Sequence, residues 1–257
     1  MLAGTLKEKL RAGGRPIGLL MTFDFWAGYL EVCQRLGVDF VVLDMEHGQV
    51  DLSQAEHLCR TARLLDLPLL IRPPSSAAVH VKRSLDLGAG GVMVPWLETR
   101  GQLQEVHDAA FCPPRGRHGM GGPGILAVPG TRSADWARIE ENTFLMCQIE
   151  TPAGLQIAAE AARCDWLDAL MVGPYDLAHT MGVVDHYLEA EEHLRAIDSI
   201  RAAAHAGGRW AGMVTGTGED ARTWFERGFD LVIIGAVLTH FVQGLTRNLQ
   251  AARQDRG

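Results

Sequence analysis

Eight short apolar runs recur along this chain of 257 residues, and each is followed by a segment with helical periodicity. The runs are Pro16–Met21, Phe40–Asp44, Leu69–Arg72, Gly91–Pro95, Phe144–Glu150, Ala169–Val172, Trp210–Val214 and Leu231–Ile234. The helical patterns cover Phe25–Leu36, Ser53–Leu65, Ala77–Leu87, Arg100–Ala110, Pro152–Ala162, Leu188–Ala206, Gly218–Arg227 and Val237–Arg253. Many runs are apolar at every position, as parallel strands covered on both faces require. Asp51 and Ser53, with Ser75 and Ser76, mark helix starts, and Gly37, Gly88 and Gly228 sit where helix ends need a left-handed residue. Eight βα units in this length predict an α/β fold, a closed (β/α)8 TIM barrel of parallel strands filling 1–257 as one domain, over an open doubly wound sheet.

Four of the runs carry charge at the same end. Phe40–Leu43 runs into Asp44, Glu46 and His47; Leu69–Ile71 ends on Arg72; Phe144–Ile149 ends on Glu150; and Ala169–Val172 leads through Gly173-Pro174-Tyr175 to Asp176. A buried strand needs no charge to fold. Barrel enzymes place their chemistry at the carboxyl ends of strands, so these four ends predict one pocket.

Composition excludes some classes. A net charge of −7, with no basic block, argues against a nucleic-acid role. No run is long and apolar enough for a membrane span, and the first residues lack the apolar stretch of a signal peptide, so a soluble cytoplasmic protein is expected. Five cysteines without CxxC spacing suggest neither a disulfide framework nor a thiolate zinc site. One segment, Cys112–Thr143, breaks the rhythm. It contains a G-x-G-x-x-G at Gly119–Gly124, but no strand precedes it and Pro123 interrupts it, so it does not read as a dinucleotide loop. A lid or subunit contact on the C-terminal side of the barrel is expected there, with a short helix over Ser133–Glu141.

The charged residues suggest a chemistry. Glu150 and Asp176 close adjacent strands, and two converging carboxylates repel unless a cation lies between them. All-oxygen ligands favour a hard divalent ion, Mg²⁺ or Mn²⁺, with Co²⁺ a further option. The alternative is one carboxylate paired with an arginine and the other capping a helix. Arg72 suits a carboxylate or enolate oxygen, or an ion pair with Asp44 or Glu46. His47 has the pKa range of a general base, and Asp44 is placed to accept its second N–H. The turn at Gly173-Pro174-Tyr175 offers the backbone N–H groups of Tyr175 and Asp176 to a substrate carboxylate. A metal, an arginine, a base and an anion seat together predict enolate chemistry on a 2-oxo acid. No lysine ends a strand, which argues against a Schiff-base aldolase.

The stretches LDMEHG (Leu43–Gly48), IRPP (Ile71–Pro74), VPWLET (Val94–Thr99), CPPRGRHG (Cys112–Gly119), QIET (Gln148–Thr151) and VGPYDLAHTMG (Val172–Gly182) resemble, in family order, the metal-dependent (class II) pyruvate aldolases of the HpcH/HpaI group. The resemblance implies a phosphoenolpyruvate/pyruvate-type barrel, with Glu150 and Asp176 as metal ligands, Arg72 as the enolate-binding arginine and His47 with Asp44 as the base pair. Gln148 joins Arg72, Gly173, Pro174 and Tyr175 as an expected substrate-binding residue. It also implies a homo-oligomer, a hexamer of dimers that exchange the last helix. His118, and Pro174 followed by the bulky Tyr175, depart from the family pattern on loops placed near the pocket, which bears on the aldehyde. The expected reaction is reversible cleavage of a 4-hydroxy-2-oxo acid to pyruvate and an aldehyde. Its rivals are an oxaloacetate-type decarboxylase or lyase, a carboligase using the same enolate, and a non-catalytic barrel that binds a 2-oxo acid.

Overall fold

The computed structural model describes residues 2–119, 136–187 and 189–254. Eight parallel strands close into a barrel in chain order, β1 Ile17–Met21, β2 Phe40–Asp44, β3 Leu69–Arg72, β4 Gly91–Val94, β5 Phe144–Ile149, β6 Ala169–Val172, β7 Trp210–Thr215 and β8 Leu231–Ala236. The helices are α1 Leu2–Arg11, α2 Gly28–Arg35, α3 Leu52–Leu64, α4 Ala78–Asp86, α5 Arg100–Ala110, α6 Trp136–Asn142, α7 Pro152–Ala161, α8 Pro174–Met181, α9 Glu191–Ala206, α10 Gly218–Glu226 and α11 Val237–Gln254. The (β/α)8 barrel read from the alternation is the fold observed.

Three helices go beyond the alternation, the short α6 together with α1 and α8. Helix α1 closes the N-terminal end of the barrel: Leu6 and Leu10, one turn apart, pack into the barrel interior against Phe40, Met93 and Phe144. Helix α8 starts immediately after β6, with Pro174 as its first residue, and adds a turn to the pocket wall. Of the expected caps, Ser75 and Ser76 do not cap α4, which starts from Ala77 without a side-chain cap bond, while Ser75 Oγ accepts from Ala77 N at 3.2 Å. The Asp51 cap and the glycine ends are present. Asp51 accepts from Gln54 N at 2.8 Å, and Gly37, Gly88 and Gly228 all have positive φ.

The pleat of the strands decides what faces inward. On β2, Phe40 and Val42 lie in the barrel interior, while Val41 and Leu43 face the helices. Continuing the alternation by two turns Asp44 inward at the C-terminal end. On β5, Phe144 and Met146 are interior, which turns Gln148 and Glu150 the same way. On β3, interior Leu70 is followed two residues on by Arg72. The register does the rest. Asp44 is the direct partner of Arg72 across β2 and β3. Ile149 pairs with Val172, which sets Glu150 beside Gly173.

The connection after α5 differs from expectation. A segment that follows a helix and feeds a strand begins and ends at the N-terminal end of a parallel barrel, away from the charged strand ends. Its described ends lie there. Glu140 of α6 accepts from Cys112 N at 2.7 Å, and Lys7 of α1 donates to Glu141 O at 2.9 Å. Residues 120–135, with most of the Gly119–Gly124 motif and Pro123, lie outside the described residues. His118 is likewise not at the pocket. It is buried under α4 and α5, with Nδ1 2.6 Å from Ala109 O and Nε2 3.2 Å from Asp86 Oδ1.

Candidate active site

The C-terminal end of the barrel gathers one arginine and four carboxylates. Arg72 grips Asp44 through two parallel hydrogen bonds, Nε to Oδ1 at 2.8 Å and Nη2 to Oδ2 at 2.7 Å. Its Nη1 lies 3.2 Å from Glu46 Oε2. Asp44 Oδ1 also accepts from the backbone N–H groups of Glu46 and His47, at 3.1 and 3.3 Å. Burial opposes the Asp44 charge, but the Arg72 hydrogen bonds and charge outweigh it and hold its pKa below the ordinary value. The ion-pair alternative for Arg72 is therefore realised with both acids, and the guanidinium plane is fixed.

The expected pairing of Asp44 with the His47 imidazole is corrected. Asp44 receives only the backbone N–H of His47. The His47 side chain is 57% exposed, and its Nε2 faces Glu46 Oε2 at 3.8 Å. The cause is register: Asp44 points inward at its β3 partner, whereas His47 lies three residues further on, where the chain has left the strand.

Glu150 follows β5, two strands round the barrel from Arg72, and is 1% exposed. Its Oε1 accepts from Trp96 N at 2.8 Å, and its Oε2 from Gln148 Nε2 at 2.9 Å. Neither donor carries charge. Burial pushes its pKa up to about 8; the Trp96 N–H works against that rise, and the charges of Asp176 and Glu46 add to it. Glu46 is raised too, first by burial, with Arg72 and His47 opposing. Asp176 stands in the first turn of α8. Gly173 leaves room above Glu150: a Cβ there would collide with Glu150 Oε2. The Gln148 Oε1 atom is buried without a hydrogen-bond partner.

These features fit a divalent cation. A buried carboxylate whose hydrogen-bond donors are neutral, packed against a glycine, and a second carboxylate that raises its pKa against the opposing charge of Arg72 form a hard-oxygen site with two negative groups. Glu150 and Asp176 are the residues that could hold the ion, with water and substrate completing its shell. Among the described residues no three His, Cys, Asp or Glu side chains form a ready-made cage. Such a site draws on ligands from outside the protein, as Mg²⁺ sites usually do.

A cavity of about 280 Å³ opens beside this cluster, and Arg72, Gln148, Gly173, Pro174, Tyr175 and Asp176 line it. Asp44, Glu150 and His47 are not among its lining residues; the first two are buried, and His47 is exposed. Two contributors escape the sequence reading. Trp96 has φ +50°, costly for a bulky residue, in the conformation that gives its N–H to Glu150. Its place after β4, within VPWLET, was the available signal. His193 of α9 is fully buried, with ring nitrogens 2.8 Å from Tyr187 O and 2.9 Å from Pro174 O. A histidine in the charged helical stretch Glu191-Glu192-His193-Leu194-Arg195 gives no sequence signal for that role.

A barrel that gathers carboxylates and one arginine at its strand ends has the form of a barrel lyase. Residues 26–244 match the family model described as HpcH/HpaI aldolase/citrate lyase. A hydroxypyruvate/pyruvate aldolase of Rhizorhabdus wittichii is 31% identical over 209 residues, covering 79% of this chain and 81% of that protein. A 2-keto-3-deoxy-L-rhamnonate aldolase of Escherichia coli is 26% identical over 256 residues, covering 97% and 93%. The crystal structure of an HpcH/HpaI aldolase from Desulfitobacterium hafniense superposes with a TM-score of 0.91 at 24% identity, covering 98% of each chain, and shares the fold. The chain belongs to the HpcH/HpaI aldolase/citrate lyase family. It is an enzyme, a lyase of the aldolase type. No helix among the described residues is long and apolar enough to cross a membrane.

Proposed function

We propose that this chain cleaves a 4-hydroxy-2-oxo acid to pyruvate and an aldehyde, and runs the reverse addition, with Mg²⁺ or Mn²⁺ held by Glu150 and Asp176. The observation that carries the reading is Glu150: buried, given only neutral donors, and pushed up to about 8 beside a second carboxylate. The bound ion would supply Lewis-acid charge to the carboxylate and keto oxygens of the substrate.

The other steps belong to the side chains. Asp44 takes Nε and one Nη2 proton of Arg72, and Glu46 faces Nη1. The remaining guanidinium protons are free for the keto oxygen where negative charge develops. The backbone N–H groups of Tyr175 and Asp176, at the start of α8, receive the substrate carboxylate; Pro174 has no N–H to give. Gln148 Oε1, buried on the cavity wall, is an acceptor waiting for a donor from substrate or water. His47, with Glu46 beside it, takes the proton of the 4-hydroxyl. As that proton leaves, the O–H pair forms the aldehyde C=O, the C3–C4 bond breaks, and its electrons become the pyruvate enolate. A proton returned to C3 completes pyruvate.

A homo-oligomer, hexameric by the resemblance, is supported by exposed Leu238, Phe241, Val242, Leu245 and Leu249 along α11. A cytoplasmic location is consistent with five free cysteines. Metal-dependent exchange of the C3 protons of pyruvate, followed by NMR in ²H₂O, tests the enolate step. Addition of pyruvate to a panel of aldehydes tests the aldol step. Exchange without addition to any aldehyde would favour the decarboxylase; no exchange with any divalent ion would overturn the reading.

A further inference from the structure

The cavity has two unlike ends. Its charged end is the Arg72, Gln148 and Asp176 side already described. Its far end runs between β7, α9 and α10 and is lined by Tyr175, Tyr187, Leu194, Ile197, Met213 and Trp224. Ile197, Met213 and Trp224 are buried and form a fixed floor. Tyr175 and Tyr187 form the wall, edge to face with ring centroids 6.2 Å apart and planes at 86°.

The wall is held in place. His193 places one ring nitrogen 2.8 Å from Tyr187 O and the other 2.9 Å from Pro174 O, the carbonyl just before Tyr175. A carbonyl oxygen can only accept, so a neutral imidazole donates its one N–H to one of these carbonyls and packs against the other, and this fully buried side chain lies between the two segments that carry the rings. The Tyr187 ring also meets the His193 ring edge to face at 5.6 Å. With both nitrogens at carbonyls, the imidazole is committed to the backbone. Thr215 and Asp220 supply the other polar side chains of this end, and Asp220 Oδ2 accepts from Thr217 Oγ1 at 2.7 Å.

Resting on the aldolase reading, we infer that the Tyr175–Tyr187 wall, positioned by His193, is an acceptor subsite selecting an aromatic or other apolar aldehyde over a small hydroxylated one. The charged end fixes the three-carbon oxo-acid head. The substituent on C4 then lies toward the far end, where ring faces and aliphatic carbon outnumber the polar Thr215 and Asp220 and the Tyr175 ring is 63% exposed. A hydroxylated chain placed there would lose water contacts with few partners in return. An apolar chain would gain by leaving water. A cavity of about 280 Å³ holds such a head with one ring-sized substituent.

The test uses the full chain loaded with Mg²⁺. Calorimetric titration compares pyruvate with 4-phenyl-2-oxobutanoate, which carries the ring but lacks the 4-hydroxyl and cannot be cleaved. The phenyl compound is expected to bind at least about tenfold tighter. Tyr175→Ala and Tyr187→Ala should erase that advantage, and Tyr175→Phe should keep it. In turnover, the ratio of kcat/KM for pyruvate addition to benzaldehyde over glycolaldehyde should exceed about ten, and both alanine variants should collapse it. A ratio below one in the wild-type enzyme overturns the inference, even if a variant fails to fold. Equal affinity for the two oxo acids, or alanine variants that lose both aldehydes in proportion, also overturns it. Absence of pyruvate C3 exchange in the wild-type enzyme would instead bring down the aldolase reading itself.

Discussion

Replacing Asp44 by asparagine separates two roles for that carboxylate. Asp44 is fully buried and Arg72 nearly so, and they share two hydrogen bonds of 2.8 and 2.7 Å. Removing one partner of such a pair leaves an uncompensated buried charge, at a cost of about 3–5 kcal/mol. Asparagine keeps one acceptor for Arg72 but turns an N–H₂ toward its other donor, so the lower half of that range is expected. At about 2–4 °C per kcal/mol for a chain of this size, Tm should fall by roughly 6–16 °C. The Asp44 pKa is held low in the folded state, so its stabilisation is complete above the unfolded value, about 3.9, and fades as pH falls through the folded value. The stability gap between wild type and variant should therefore stay flat from pH 5 to 8 and close only in acid. With Arg72 released from its plane, kcat/KM should fall about 10²–10³-fold, as when a fixed donor to a developing oxyanion is lost. Thermal melts across pH and steady-state kinetics on the same samples decide the matter. An Asp44→Asn enzyme with wild-type Tm and only a displaced acidic limb in its rate profile would refute this account and restore Asp44 to His47.

Metal-free protein should lose stability as pH rises from about 5 to 8, because folded Glu150 holds a proton that its unfolded counterpart, with a pKa of about 4.3, has released. Glu150→Gln should remove most of that slope, the remainder belonging to Glu46 and Asp168, which burial also raises; a slope unchanged in the variant would place the titration elsewhere. Mn²⁺ affinity, measured by calorimetry, should climb about tenfold per pH unit below 8 and level off above it, since the ion competes with the Glu150 proton. Gly173→Ala should weaken Mn²⁺ binding at least about tenfold without a large change in Tm, because its Cβ displaces Glu150 Oε2; unchanged affinity would move the metal away from Glu150. His47→Ala should slow cleavage by about 10²–10⁴-fold while Tm holds, since the ring is 57% exposed. Undiminished kcat in that variant would pass the proton to another group.

Which strand ends carry charge could be read from the residues, because a fully apolar run ending in Asp, Arg or Glu has no packing reason for that ending. Strands β2, β3 and β6 were legible to the residue for the same cause: four or five buried positions bounded by turn residues. Helix α1 was not, since half of its ten residues LAGTLKEKLR are polar and only the closed barrel gives Leu6 and Leu10 a place to go. Partnership within the site was the larger omission. Asp44 is three residues from His47 in sequence and twenty-eight from Arg72, yet it is Arg72 that sits opposite it in the β2–β3 register. Sequence distance ranks the histidine first; parallel pairing, which no single strand encodes, reverses the order. The same reversal explains His193, nineteen residues from Pro174 and drawn to its carbonyl only because α9 packs against α8. The charged half of the cavity thus follows from what each strand ends on. The aromatic half follows from how helices after β6 fold back over it, and a one-dimensional pattern carries almost none of that.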